Sequence, residues 1–146
     1  MMISMYRKIL VPIDFTDKNQ AALDSAVQIA ASAAEDGGEI TLLHVIETIE
    51  HIGFNEMADF YHGLETRATA KLFALQEQLQ EKRARVRNEI LFGKRAETIT
   101  RYSEERAMDL IILSSHHVDR DHPALGLGSI SYLIAIVARC PVLLVK

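Results

Sequence analysis

The chain is poor in the devices that staple or anchor a fold. Cys140 is its only cysteine, which excludes an intrachain disulfide and points to a reducing compartment. No stretch approaches the roughly 18 apolar residues of a membrane span. The first apolar run, Ile9 to Ile13, follows Arg7 and Lys8 but is broken by Pro12 and stopped by Asp14, too short for a secretory core. An excess of one charge is also missing. Lys plus Arg number 16 against 20 Asp plus Glu, a formal net charge of -4, so nothing pulls the chain generally towards nucleic acid or anionic membrane. There is no internal repeat and no low-complexity linker. These absences predict a cytoplasmic protein with neither nucleic acid nor membrane as partner.

What is present suits one compact domain, residues 1–146. At 146 residues about two-thirds of the unfolded surface can be buried, enough for a core without staples. The content of 49% hydrophobic and 25% charged residues is an ordinary globular balance.

Four apolar runs read as strands: Lys8 to Ile13, Ile40 to Ile46, Leu110 to Leu113 and Val142 to Val145. None alternates cleanly, as expected of parallel strands covered on both faces. A fifth run, Val86 to Phe92, is interrupted by Arg87, Asn88 and Glu89 and reads as an outer strand.

Between the runs the period becomes helical. Leu23, Ala26, Val27, Ala30 and Ala34 share one face, with Thr16 as the expected N-cap, Asp17 at the positive end of the dipole and Gly37-Gly38 as the stop. Phe60, Leu64, Ala68, Leu72, Leu75 and Leu79 predict a longer helix that ends near Arg83, and its charges Glu77, Glu81, Lys82 and Arg83 form a solvated face. Ala96, Ile99 and Ser103 mark a third helix. Ile130, Leu133, Ile134 and Val137 mark a fourth, opening near Gly128. Alternating strands and helices imply right-handed crossovers and a mostly parallel, doubly wound α/β sheet. Two irregular stretches, Glu47 to Met57 and Ser115 to Leu127, both follow strands, and so lie at the carboxyl end where such sheets bind ligands.

The second of these stretches carries the most specific pattern. Ser114-Ser115-His116-His117-Val118 leads to Gly126-Leu127-Gly128-Ser129-Ile130, and then to Arg139-Cys140-Pro141-Val142. This resembles the C-terminal signature of the universal stress protein family, Gly-x2-Gly-x9-Gly-Ser/Thr followed by Cys-Pro-Val. Ile9-Leu10-Val11-Pro12-Ile13-Asp14, Leu42-Leu43-His44-Val45 and Asp109-Leu110-Ile111-Ile112 are similar to the family's first, second and fourth strands. The resemblance, with the crossover rule, implies a Rossmann-like five-stranded parallel sheet of order 3-2-1-4-5 with helices on both faces. It also implies a homodimer paired through the last strand, whose wholly apolar residues Val142 to Val145 lack the charges that protect an edge.

In nucleotide-binding members the glycine loop and the next helix start cradle the phosphates of ATP, using converging N–H groups and the helix dipole. Aligned on Gly128-Ser129, this sequence has Ser115 and Val118 where the family has loop glycines. A β-branched residue is the poorest substitute where φ must be positive. The departure disfavours ATP or AMP as a cofactor, although Gly128 and Ser129 can still meet one anion. By the same resemblance Asp14 matches the acidic residue beside the nucleoside, and Val45 a backbone contact to adenine. Asp14 has an equally good local role, capping its own loop or the helix that follows.

His116, His117, Asp119, Asp121 and His122 put five nitrogen or oxygen donors in seven residues, ligand types suited to zinc or nickel. The spacing is not the i, i+4 pair of a helical site and Arg120 interrupts it, so a solvated loop without metal is expected. The adjacent histidines resemble members that lack the loop glycines. Cys140 before Pro141 reads as a small buried residue at a strand entrance rather than a redox sensor, and His44 as a hydrogen-bonded core histidine. Neither an adenylyl-transfer histidine motif nor a nucleophile–base pair is evident. Three classes therefore rank in this order: a non-enzymatic stress or regulatory homodimer, an ATP- or AMP-binding switch, and an enzyme of the wider adenine-nucleotide fold group.

Overall fold

The computed structural model describes residues 6–33, 37–115, 120–121 and 129–146. Five strands run in one parallel sheet: β1 Lys8–Pro12, β2 Glu39–Glu47, β3 Arg85–Gly93, β4 Leu110–Ser114 and β5 Val142–Val145. Their order is β3-β2-β1-β4-β5. Four α-helices alternate with them: α1 Asn19–Ser32, α2 Ala58–Glu81, α3 Arg95–Glu105 and α4 Ile130–Val137. The expected strand order and parallel sense are both observed, and the interrupted run is an outer strand, β3.

The pleat sorts the apolar side chains between two cores. Ile9, Val11, Ile40, Leu42, Leu110 and Ile112 point to one face, where Ala22, Leu23 and Ala26 of α1 and Leu72 and Leu79 of α2 meet them. Leu10, Leu43, Val45, Ile111 and Leu113 point to the other, against Ile99 and Tyr102 of α3 and Ile134 of α4. Ile9, Leu10, Ile111 and Ile112 are fully buried. Continuous apolar runs arise because successive residues of a doubly covered strand are both buried. One carboxylate sets the start of the sheet: Asp109 Oδ2 accepts from the backbone N–H of Arg7 at 3.0 Å and Lys8 at 2.8 Å.

Three details differ from the sequence reading. Thr16 does not cap α1. The helix begins at Asn19, and Thr16 spends its hydroxyl on Asp14 Oδ1 at 2.7 Å, a charged acceptor that bends the chain before the helix starts. Asp17 is consequently outside the first helical turn, which holds no acidic residue. In α2 the buried stripe begins at Tyr61, 1% exposed, whereas Phe60 is 49% exposed. The stretch Glu47 to Met57 contains a 3₁₀ turn, Phe54–Met57, whose Phe54 ring stacks on Tyr61 at 5.0 Å. The Tyr61 hydroxyl accepts from the Ile49 N–H at 2.8 Å. This tyrosine is buried because it holds the irregular connection, a demand that helical periodicity does not register.

Gly37 and Gly38 follow α1 as expected. Gly37 has φ of +73°, which glycine adopts without strain, and the Gly38 N–H donates to Ala30 O at 2.7 Å. Ala34 of the predicted stripe lies outside the described residues. In α4 only Ile134 is buried, while Leu133 and Val137 are exposed.

Candidate functional site

At the carboxyl ends of β1, β2 and β4 lies a cleft of about 740 Å³. It opens where the chain leaves β1 for one side of the sheet and β4 for the other, the switch point of a doubly wound fold. Its floor is apolar, with Leu43, Val45, Ile99 and Leu113 all buried. Its rim is polar: Asp14, Thr16, Lys18 and Asn19 come from the β1–α1 connection, Ser114 and Ser115 from the end of β4, Ser129 and Ser131 from the start of α4, and Arg95 from the start of α3.

The β1–α1 connection is fixed residue by residue. Asp14 Oδ1 accepts from the N–H and hydroxyl of Thr16, at 3.0 and 2.7 Å. The buried Asn19 accepts the Asp14 N–H at 3.1 Å and donates to Ser114 Oγ at 3.4 Å. Ser114 in turn donates to Lys18 O at 2.8 Å, and Ser131 Oγ donates to Ser114 O at 3.2 Å. One belt of hydrogen bonds therefore ties β1, β4 and α4 around the cleft. Partial burial works against the Asp14 charge, but the Thr16 bonds, with Arg95 and Asn19, hold its carboxyl below the ordinary aspartate value.

Phe15, with φ of +63°, packs its ring on His44 at 4.5 Å between centroids. The Lys71 ammonium lies 5.2 Å from the centre of the same ring. His44 is half-buried and its Nδ1 bonds Ile13 O at 2.7 Å. Burial lowers its pKa, and the charges of Arg95 and Lys71 act in the same direction, opposed by the Ile13 bond and Asp14. The expected structural histidine is thus found, bonded to the loop that carries Asp14.

Of the six residues singled out from the sequence, Asp14, Val45, Ser115 and Ser129 line this one cleft. Val118 and Gly128 lie outside the described residues, as do His116, His117, Asp119 and His122. Ser129 caps its own helix, accepting the Tyr132 N–H at 3.2 Å, so its hydroxyl is already engaged. Cys140 is half-buried in the second core, and burial raises its thiol pKa. Among the described residues no group of three His, Cys, Asp or Glu is placed to hold a metal.

Sequence reasoning missed Arg95, Lys18 and Phe15. Arg95 left one usable signal: it is a cation in the first turn of a helix, where the dipole disfavours positive charge.

A parallel, doubly wound sheet with its cleft at the β1/β4 switch point defines a protein of Rossmann-like α/β architecture. The universal stress protein family model matches residues 5–146, and the chain belongs to that family. It is 28% identical over 152 residues to universal stress protein YxiE of Bacillus subtilis, covering 97% of this chain and 100% of that protein. Universal stress protein MJ0577 of Methanocaldococcus jannaschii is 29% identical over 159 residues, covering 97% and 96% of the two chains, and its solved structure superposes with a TM-score of 0.80. The universal stress protein of Archaeoglobus fulgidus solved in complex with dAMP shares the fold at a TM-score of 0.69 and 16% identity, over 97% of this chain and 99% of that one.

Proposed function

We propose that the chain is a non-enzymatic, cytoplasmic stress-response or regulatory protein, one domain over its 146 residues, that works as a homodimer paired through β5. The observation that carries this reading is the apolar surface of α4 and β5. Ile136 and Val137 of α4 are 62% and 58% exposed, and Leu143 and Leu144 of β5, at the open edge of the sheet, are 38% and 37% exposed. A bare apolar edge strand invites pairing, and a two-fold pairing of β5 with a second β5 would cover strand and helix together. Light scattering at micromolar concentration is expected to give the dimer mass, and Ile136→Glu together with Leu144→Glu to give the monomer. A monomer mass for the unaltered protein would remove the proposal.

A second reading, an ATP- or AMP-binding switch, is favoured by the convergence of Asp14, Val45, Ser115 and Ser129 on one cleft, and by the dAMP complex of the Archaeoglobus fulgidus relative. With Ser115 and Val118 in place of loop glycines, ATP is expected to bind weakly. Val118 and Gly128 enter this reading only through the family resemblance.

A further inference from the structure

The chain has five Phe and four Tyr, and four of these rings gather outside both cores. Phe54 of the 3₁₀ turn stacks on Tyr61 and meets Phe92 edge-on at 5.3 Å, while Phe60 meets Tyr61 at 5.6 Å. None of the four belongs to the apolar cluster on either face of the sheet. Tyr61 is buried, but Phe54 and Phe60 are exposed, as are Ile49 and Ile52 of the same connection. Ile49 is tied in through its N–H bond to the Tyr61 hydroxyl, and Ile52 lies two residues before Phe54.

Local packing explains part of this arrangement. One face of Phe54 shields Tyr61, whose buried ring needs cover. The rest of Phe54, half of Phe60 and the two isoleucines remain in water, as a patch rather than as scattered single residues.

The stretch that carries the patch is acidic. Residues 47–66 hold Glu47, Glu50, Glu56, Asp59 and Glu65, and neither Lys nor Arg. Glu50 and Glu47 are matched from outside the stretch, by Lys94 at 3.2 Å and Arg95 at 4.0 Å. Glu56 and Asp59 are exposed and form no ion pair among the described residues. Standing at the start of α2 they suit its dipole, yet their oxygens stay open to an incoming cation. Such charge repels phosphate backbones and anionic lipid. A second copy would bring the same acidic stretch and set like charges together. A protein segment with apolar side chains and flanking Lys or Arg matches both features.

We infer that this corner is a docking surface for a basic amphipathic segment of another protein, with Phe54 and Phe60 taking its apolar side chains and Glu56 and Asp59 its Lys or Arg. Phe92 places the corner at β3, the opposite end of the sheet from β5, so the surface stands or falls independently of the homodimer.

The probe is a short, fluorescently labelled synthetic peptide of leucine and lysine patterned as an amphipathic helix, titrated with the full chain and followed by anisotropy. A second peptide carries glutamate in place of lysine. The lysine peptide is expected to bind about tenfold tighter than the glutamate one. Phe60→Ser is expected to weaken it about tenfold. Glu56→Gln with Asp59→Asn is expected to weaken it about threefold and to flatten its dependence on salt. Phe73→Ser removes another exposed ring of α2, about 20 Å further along the helix, and is expected to leave affinity within about twofold. Melting curves establish that Phe60→Ser is folded, and the charge variant, altered only at the surface, decides the matter if it is not. No binding of the lysine peptide, equal binding of the two peptides, equal losses in Phe73→Ser and Phe60→Ser, or no loss in the Phe60 or the charge variant would each overturn the inference. So would adsorption of the unaltered chain to phosphatidylserine vesicles that is lost in Phe60→Ser, which would make the patch a membrane contact.

Discussion

His44 holds Ile13 in place: its Nδ1–H donates to the Ile13 carbonyl at 2.7 Å from the neighbouring strand, while its ring supports Phe15. Asp14, between those two residues, is thereby presented to the cleft with both flanks secured.

Removing that bond has a defined consequence. His44→Leu leaves the Ile13 carbonyl without its side-chain partner and is expected to cost about 1–3 kcal/mol. His44→Asn, whose side-chain N–H₂ can stand where Nδ1 stood, is expected to cost less. Because burial lowers the His44 pKa, the unfolded chain takes up this proton first as pH falls. The stability linked to His44 is therefore full above its unfolded pKa and declines as pH drops towards the folded value. Asp14, with a lowered pKa, loses its contribution in a separate window, as pH falls below the ordinary aspartate value and through its folded one. Urea denaturation between pH 7 and pH 5 is expected to show a fall in stability that is smaller in His44→Asn.

Gly93 closes β3 at φ of +148°, and an added Cβ would stand 2.7 Å from Thr98 Oγ1. Thr98 is buried and sits in the first turns of α3, so the clash cannot be relieved by swinging a side chain into water. Gly93→Ala is expected to lose about 1–3 kcal/mol, from strain and contact together. A melting temperature equal to that of the unaltered protein would contradict this.

Ala107 poses the opposite case. It follows α3 with φ of +49°, and the next N–H, of Met108, bonds back to Ser103 O at 2.9 Å, the closure in which glycine is favoured. Ala107→Gly is expected to relieve backbone strain, partly offset by greater freedom of the unfolded chain, for a net gain of about 0.5 kcal/mol. Paired denaturation curves with unchanged slope check it.

For ATP, the double change Ser115→Gly and Val118→Gly is expected to improve binding in part, because it restores the two glycines of the family loop. Ligand at a hundredfold its dissociation constant adds about 2.7 kcal/mol, a melting shift of roughly 4–10 °C for a domain of this size. With millimolar MgATP, no shift is expected in the unaltered protein and a smaller positive one in the double variant. A clear shift in the unaltered protein would favour the ATP switch. No gain in the double variant would place the obstacle elsewhere, for instance in the bulk of His116 and His117.

The sheet was legible because burial on both faces imposes unbroken apolar runs, and because the order of strands and helices leaves few right-handed solutions. Even the mixed run of β3 was readable, since Arg85 and Arg87 are exposed at the sheet edge. Local geometry was less so. Thr16 looks like a cap to any rule that scores single residues, but Asp14 two positions earlier competes for its hydroxyl. Phe60 and Tyr61 differ by one step of the helix, and the tyrosine is chosen by a hydrogen bond to Ile49, far from the helix in any periodic count. In the site, Asp14, Val45, Ser115 and Ser129 were reached through a motif. Arg95 belongs to no motif, and only the fold brings it, at the start of α3, to the same cleft as Asp14.

The central place of β1 governs the order in which the protein can be finished. Lys8 and Asp109 are hydrogen-bonded across 101 residues of sequence, and β4 covers the second edge of β1. On a ribosome adding about 5–20 residues per second, that partner emerges about 5–20 s after β1. Until then the nascent chain can assemble at most the half-sheet β3-β2-β1, with the apolar residues Ile9, Leu10 and Val11 along an open side. A holding chaperone would meet that edge, and its crosslinking to chains stalled before β4 should vanish in chains stalled after release of β5.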